Sequence, residues 1–174
     1  MNTTSQIIFL VGFMGAGKTT IGKELAKQLK FKFIDLDDQI ESSTKKSIST
    51  IFKREGERAF RIIEQQALFN LADSNKIVVA TGGGCATYEN NMSWMNEHGF
   101  TIYLFAHPGI IFHRLAQQRS GRPLIEEKSD IELMEYINDV METRHQYYNQ
   151  AMHKENAAQT VSEIVTAIIS KLKN

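Results

Sequence analysis

The chain has 174 residues, with 20 Lys plus Arg set against 20 Asp plus Glu and a formal net charge of zero. That balance excludes a general nucleic-acid binder resting on bulk positive charge, and the length suits one domain that can bury roughly 70% of its unfolded surface. Cys85 is the single cysteine, which excludes an intramolecular disulfide framework, and the first apolar run is too short to span a membrane and lacks a basic flank, so a cytoplasmic protein is expected.

Ile7-Ile8-Phe9-Leu10-Val11 is a continuous apolar run, the pattern of a strand buried on both faces. Gly12-Phe13-Met14-Gly15-Ala16-Gly17-Lys18-Thr19 follows at once and matches G-x-x-x-x-G-K-[ST] at every fixed position. Behind it Ile21, Leu25, Ala26 and Leu29 recur at helical spacing. The motif therefore sits between a strand and a helix. In that setting the backbone from Gly15, Ala16 and Gly17 through Lys18, Thr19 and Thr20 can curl around phosphate oxygens, with the helix N-terminus aimed at the same anion. Lys18 can reach the β- and γ-phosphates, and the Thr19 hydroxyl can bind Mg²⁺. The dinucleotide fingerprint G-x-G-x-x-G fails, because Thr20 stands where its last glycine belongs.

Phe31 to Ile34 reads as a second strand running into Asp35-Leu36-Asp37-Asp38. Two residues apart on an extended segment, Asp35 and Asp37 share a face at a strand's carboxyl end, where α/β sheets bind ligands. A solvated acidic turn or a helix N-cap explains the pair equally well taken alone; beside a phosphate loop the site reading gains. Asp38 is expected to cap a helix through Ile40. Ser47 to Gly56 reads as a short helix broken by its glycine, and Glu57 to Asp73 as a long one with Phe60, Ile63, Ala67, Leu68 and Leu71 on its apolar face. Arg61 near its start is opposed by the helix dipole, and reads as an ordinary surface pair with Glu64.

Ile77 to Thr81 is the third strand, followed by Gly82-Gly83-Gly84, which suggests a close backbone approach to a ligand. No carboxylate follows this strand to hold metal or activate water, which favours Asp35 for the metal and transfer to an acceptor over hydrolysis. A helix over Asn90 to Glu97, a fourth strand over Thr101 to Phe105 and a helix opened by Pro108 and carrying Arg114 come next. Arg119 to Leu124, with Gly121, Pro123 and two arginines, has the composition of a cationic lid or of a basic surface loop. Ile131 to Gln150 reads as a long helix with Ile131, Met134, Ile137, Met141 and Tyr148 near one stripe, and Ser162 as the cap of a last helix over Glu163 to Leu172. Strands alternating with helices imply right-handed crossovers and a parallel sheet covered on both faces.

Together these features resemble the shikimate kinase family. The resemblance rests on Gly12 to Thr19, Asp35-Leu36-Asp37, Gly56-Glu57 with Phe60-Arg61 and Glu64, Gly82-Gly83-Gly84, Arg122-Pro123-Leu124, and Arg144 with Tyr148 and Ala151, in the family's order over nearly the whole chain. It implies an α/β P-loop NTPase fold of the nucleoside-monophosphate-kinase-like type, three layers with a five-stranded parallel sheet. It implies one domain over residues 1–174, with a mobile lid about 115–130 and an acceptor-binding region about 35–62. The implied reaction is phosphorylation of the shikimate 3-hydroxyl by ATP with Mg²⁺, on the route to chorismate and aromatic amino acids, by a monomer without nucleic-acid or membrane partners.

By position, Asp37 would hold the hydroxyl, Arg61 and Arg144 the carboxylate, and Gly83 would offer its N–H. Glu64 would orient Arg61, Thr19 and, through water, Asp35 would serve the metal, and Lys18 and Arg122 would stabilise the moving phosphoryl. Arg114 would stack on adenine, while Arg119 has no counterpart. The implied fifth strand falls on Met152 to Ala157, a segment of poor β character. The alternative is another small-molecule kinase with the same loop, of nucleoside monophosphate or gluconate type, since two arginines serve a phosphate as well as a carboxylate.

Overall fold

The computed structural model describes residues 6–119 and 124–173. Five strands form one parallel sheet: β1 (Ile7–Val11), β2 (Lys32–Asp35), β3 (Ile77–Ala80), β4 (Phe100–Phe105) and β5 (His153–Asn156), in the order β2-β3-β1-β4-β5. Registers such as Phe9 opposite Val79 on one side and Thr101 on the other place β1 at the centre. That position explains its unbroken apolar run, all five residues of which are buried. Ile8 and Leu10 pack against α1 (Lys18–Leu29), α5 (Pro108–Ala116), α6 (Asp130–Tyr148) and α7 (Val161–Leu172). Ile7, Phe9 and Val11 face α2 (Leu36–Thr44), α3 (Ile48–Phe69) and α4 (Asn91–His98). The result is the expected three-layer α/β/α architecture.

The connections from β1 run one way, through α1 to β2, and those from β4 run the other way, through α5 and α6 to β5. Chain therefore parts at the carboxyl ends of β1 and β4, which is where such sheets leave a crevice. The phosphate loop, Asp35 with Asp37, and Gly82 to Gly84 all lie at strand ends on that edge.

Several local expectations are corrected. Asp35, not Asp38, caps α2: its Oδ1 accepts from the Asp37 N–H at 3.2 Å. The strand thus ends at Asp35 and Asp37 already lies in the first helical turn, so the two carboxylates converge through a strand-to-helix corner rather than along an extended segment. Thr160, not Ser162, caps α7, in a reciprocal box with Glu163. A cap needs extended backbone one residue ahead of the helix, and Thr160 has φ −67 and ψ 153. Ile131 is 73% exposed at the start of α6, whose buried stripe is Leu133, Ile137 and Tyr148. The glycine break is real: α3 kinks at Gly56, with φ 83 and ψ 169, and its second half ends at Phe69 rather than Asp73.

β5 forms despite its composition because it is an edge strand. It pairs only with β4, Ile102 opposite His153 through Phe105 opposite Asn156. One side stays polar, and Lys154 lies over the Phe105 ring at 4.6 Å. Charged residues suit an unpaired edge and discourage further pairing.

Candidate active site

A cleft of about 890 Å³ opens over the carboxyl ends of β1, β2 and β3. The loop residues Met14 to Thr19 line its floor. Gly15 and Gly17 have φ values of 79 and 94, a conformation that side-chain-bearing residues rarely adopt, and they turn the chain into the N-terminus of α1. Lys18 is buried and folds back over this loop, with Nζ donating to the Gly12 carbonyl at 2.8 Å and the Phe13 carbonyl at 3.0 Å. Thr19 Oγ1 donates to Asp35 Oδ2 at 2.8 Å. Two hard oxygen donors therefore meet beside the loop, the donor chemistry that suits Mg²⁺. Thr81 occupies the end of β3, and its hydroxyl is spent on the Leu10 carbonyl at 3.0 Å.

Across the cleft stand Asp37, Arg61, Glu64 and Arg144. Arg61 is not the surface residue its sequence context suggests. Its side chain is 10% exposed, and it donates from Nη1 to Glu64 Oε2 at 2.6 Å and from Nη2 to Glu57 Oε1 at 3.0 Å. Glu64 is fully buried. Burial pushes its carboxyl up to about 7, against the pull of Arg61. Burial first, and then the Asp35 charge, lift Asp37 to about 6, while Lys18 and Arg61 work the other way. Asp37 Oδ1 and Glu64 Oε1 are both buried without a hydrogen-bond partner. A carboxylate oxygen held dry and unpartnered at a cleft wall is ready to accept from a ligand hydroxyl.

The triple glycine serves the protein's own side chains as well as any ligand. A Cβ on Gly82 would lie 2.3 Å from Glu64 Oε1, and one on Gly84 would lie 2.2 Å from Arg61 Nη2. These two glycines make room for the ion pair. Gly83 faces the cleft, with its carbonyl accepting from Arg144 Nη1 at 2.9 Å.

On the opposite flank, Arg114 donates to the Gly15 carbonyl at 3.1 Å and to the Ala157 carbonyl at 2.7 Å. It ties the phosphate loop to the segment after β5, and Gln159 lines the cleft beside it. Arg122 lies outside the described residues. Arg119 does not line the cleft; it donates to the Lys128 carbonyl and to Asp130. Sequence reasoning missed Ile48 and Phe52, which give the cleft an apolar wall, Phe52 with its ring 4.7 Å from that of Phe60. Apolar residues at helical spacing read as core, so no signal separates them in sequence.

A phosphate loop at the switch point of a parallel sheet, facing an acceptor pocket with two arginines and a dry carboxylate, defines a small-molecule kinase of the P-loop class. The family model described as shikimate kinase matches residues 14–173. A shikimate kinase of Phocaeicola vulgatus is 42% identical over 84% of this chain and 83% of its own length. The crystal structure of the Bacteroides thetaiotaomicron shikimate kinase superimposes with a TM-score of 0.93 at 37% identity, covering 97% of this chain and 99% of that one. The Acinetobacter baumannii shikimate kinase, solved in complex with shikimate, gives 0.89 at 32% identity over 97% and 93% of the two chains. The chain belongs to the shikimate kinase family, and its activity is the ATP-dependent phosphorylation of shikimate.

Proposed function

We propose that the acceptor end of the cleft seats shikimate with its carboxylate between Arg61 and Arg144 and its reacting hydroxyl on Asp37. The observation that carries this reading is the pairing of opposite needs at one site. Two guanidinium groups offer planar paired donors for a carboxylate, and the unpartnered Asp37 Oδ1 offers an acceptor for a hydroxyl. Glu64 keeps the Arg61 guanidinium turned toward Gly84. The Gly83 N–H adds a donor for a substrate oxygen, and Ile48 and Phe52 cover the apolar side of the ring.

Phosphoryl transfer needs positioning and charge neutralisation more than covalent help. The loop amides from Gly15 to Thr20 and the α1 N-terminus hold the donor phosphates, while Lys18 swings from its carbonyl contacts toward the β- and γ-phosphates. Arg114 lies against the base, and Arg122 is assigned to the transferring group. Mg²⁺ fits Thr19 and Asp35, and when bound it supplies charge neutralisation on the phosphates. As the hydroxyl oxygen bonds to phosphorus and the bond to the leaving diphosphate breaks, the hydroxyl proton passes to Asp37 Oδ1. The enzyme works as a cytoplasmic monomer.

ADP release measured with shikimate, gluconate and nucleoside monophosphates as acceptors tests the substrate. Turnover with shikimate alone is expected. Asp37→Asn keeps the side-chain size and is expected to cut shikimate turnover by at least about 10²-fold while calorimetric ATP–Mg²⁺ affinity holds. Collapse of ATP–Mg²⁺ affinity with shikimate affinity untouched would instead exchange the roles of Asp35 and Asp37.

A further inference from the structure

Gly83 sits where the two halves of the cleft meet. A Cβ built on it would lie 3.2 Å from the Met14 backbone nitrogen, in the phosphate loop, and 3.7 Å from Arg144 Nη1, on the acceptor side. Its carbonyl oxygen accepts from two side chains, Arg144 Nη1 at 2.9 Å and the Tyr148 hydroxyl. These residues are one turn apart on α6, so a single helix face brings guanidinium and phenol to one peptide group. Tyr148 is 1% exposed, and its ring packs 5.1 Å from that of Tyr103. Burial pushes its phenol up to about 12, so it keeps its proton and donates. Packing by itself requires only the ring; a phenylalanine would fill the same space. The hydroxyl has another use.

We propose that Tyr148 is a positioning residue for the acceptor: by holding the Gly83 carbonyl, its hydroxyl fixes the Gly83–Gly84 peptide at the cleft wall and with it the resting orientation of the Arg144 guanidinium. This rests on the reading that Gly83 and Arg144 face shikimate. A peptide plane is rigid, so two donors on the Gly83 C=O hold the whole Gly83–Gly84 peptide in place at the cleft wall. A carbonyl oxygen has two lone pairs, and with the phenol on one the guanidinium is confined to the other. Arg144 then meets the carboxylate from a fixed start and loses less freedom on binding.

The test is Tyr148→Phe in the full-length chain, alone and combined with Arg144→Lys. Losing one hydrogen bond of about 1 kcal/mol predicts a rise of about three- to tenfold in KM for shikimate. ATP affinity without acceptor is expected to hold, and kcat to fall by less than KM rises. The double variant is expected to lose less than the product of the single effects, since both act on one peptide and one ligand group. An unchanged KM with a lowered melting temperature overturns the proposal, because the hydroxyl then serves stability only. So does a loss of folding by circular dichroism, or an equal loss of ATP and shikimate affinity, which would place the effect in the phosphate loop through Met14. If Arg144→Lys itself leaves the shikimate KM unchanged, the acceptor reading of Arg144 fails. If Arg144→Lys raises it and Tyr148→Phe does not, only the positioning role fails.

Discussion

Arg61 shows local and tertiary preferences in conflict. Near the start of the helical half that follows Gly56, a cation is opposed by the dipole. It is nonetheless buried, held by Glu57 and Glu64 and closed in by Gly84. Residues that break a local rule in this way concentrate at functional sites. Gly84 isolates the effect. Its φ of −99 is ordinary for any residue, so an alanine there meets no backbone strain and only collides with the guanidinium. Gly84→Ala is therefore expected to displace Arg61 and to raise the shikimate KM at least about tenfold, the loss of a charge-assisted hydrogen bond. ATP affinity, measured by calorimetry without acceptor, is expected to stay. A variant with unaltered shikimate kinetics would remove Arg61 from the carboxylate site.

The elements are stabilised by devices that lie outside the chemistry, and α7 provides the cleanest. Thr160 Oγ1 accepts from the Glu163 N–H at 3.3 Å, and Glu163 Oε2 accepts from the Thr160 N–H at 2.9 Å. Two donors at the helix start, the Thr160 and Glu163 N–H groups, are satisfied reciprocally in this way. Thr160→Ala is expected to cost about 1 kcal/mol, seen as a fall of about 2–4 °C in melting temperature, with turnover at 25 °C unchanged. Ser162→Ala, one residue inside the helix, is expected to change neither. Equal losses in the two variants would mean that the box contributes nothing. The kink in α3 has a different purpose. It lets one continuous stretch place Ile48 and Phe52 on the cleft wall before Gly56 and Arg61 with Glu64 behind the triple glycine after it.

At the scale of the molecule, building a dry carboxylate into the cleft has a global consequence. The folded-state pKa of Glu64 lies above its ordinary value of 4.5, at about 7, because burial outweighs the Arg61 pair. The folded protein thus holds this proton more tightly than the unfolded chain. The associated stability is fully present below about 4.5 and is lost as pH rises through about 7. Arg61 on α3 with Glu64 itself, Asp37 from α2 and Arg144 from α6 are the charges that modulate it. The melting temperature of the ligand-free protein is expected to fall between pH 5.5 and 8 (roughly the window set by the linkage relation). Glu64→Gln, which does not titrate, is expected to flatten that slope whatever its absolute stability. Parallel slopes for the two proteins in calorimetric scans would show that Glu64 does not titrate in this window.

The sequence alone determined the central strand, the phosphate loop and the alternation of strands and helices. Each rests on local rules: a run of Val, Ile and Leu, three glycines before Lys18, apolar residues at helical spacing. The loop residues Gly15 to Thr20 follow such a pattern, whereas the expectations at Arg61, Gly83 and Arg144 rested on the family resemblance. Only the tertiary structure decided which of Asp35 and Asp38 caps α2, that β5 becomes an edge strand, and that Arg61 and Glu64 form a buried pair instead of a surface one. It alone showed that Gly82 and Gly84 clear space for Glu64 and Arg61 while all three glycines line the cleft. These outcomes depend on groups distant in the chain, as Gly83 depends on Tyr148 and Arg114 on Ala157. Burial, hydrogen-bond satisfaction and steric clearance are properties of the packed neighbourhood, and a residue's neighbours along the chain do not specify them.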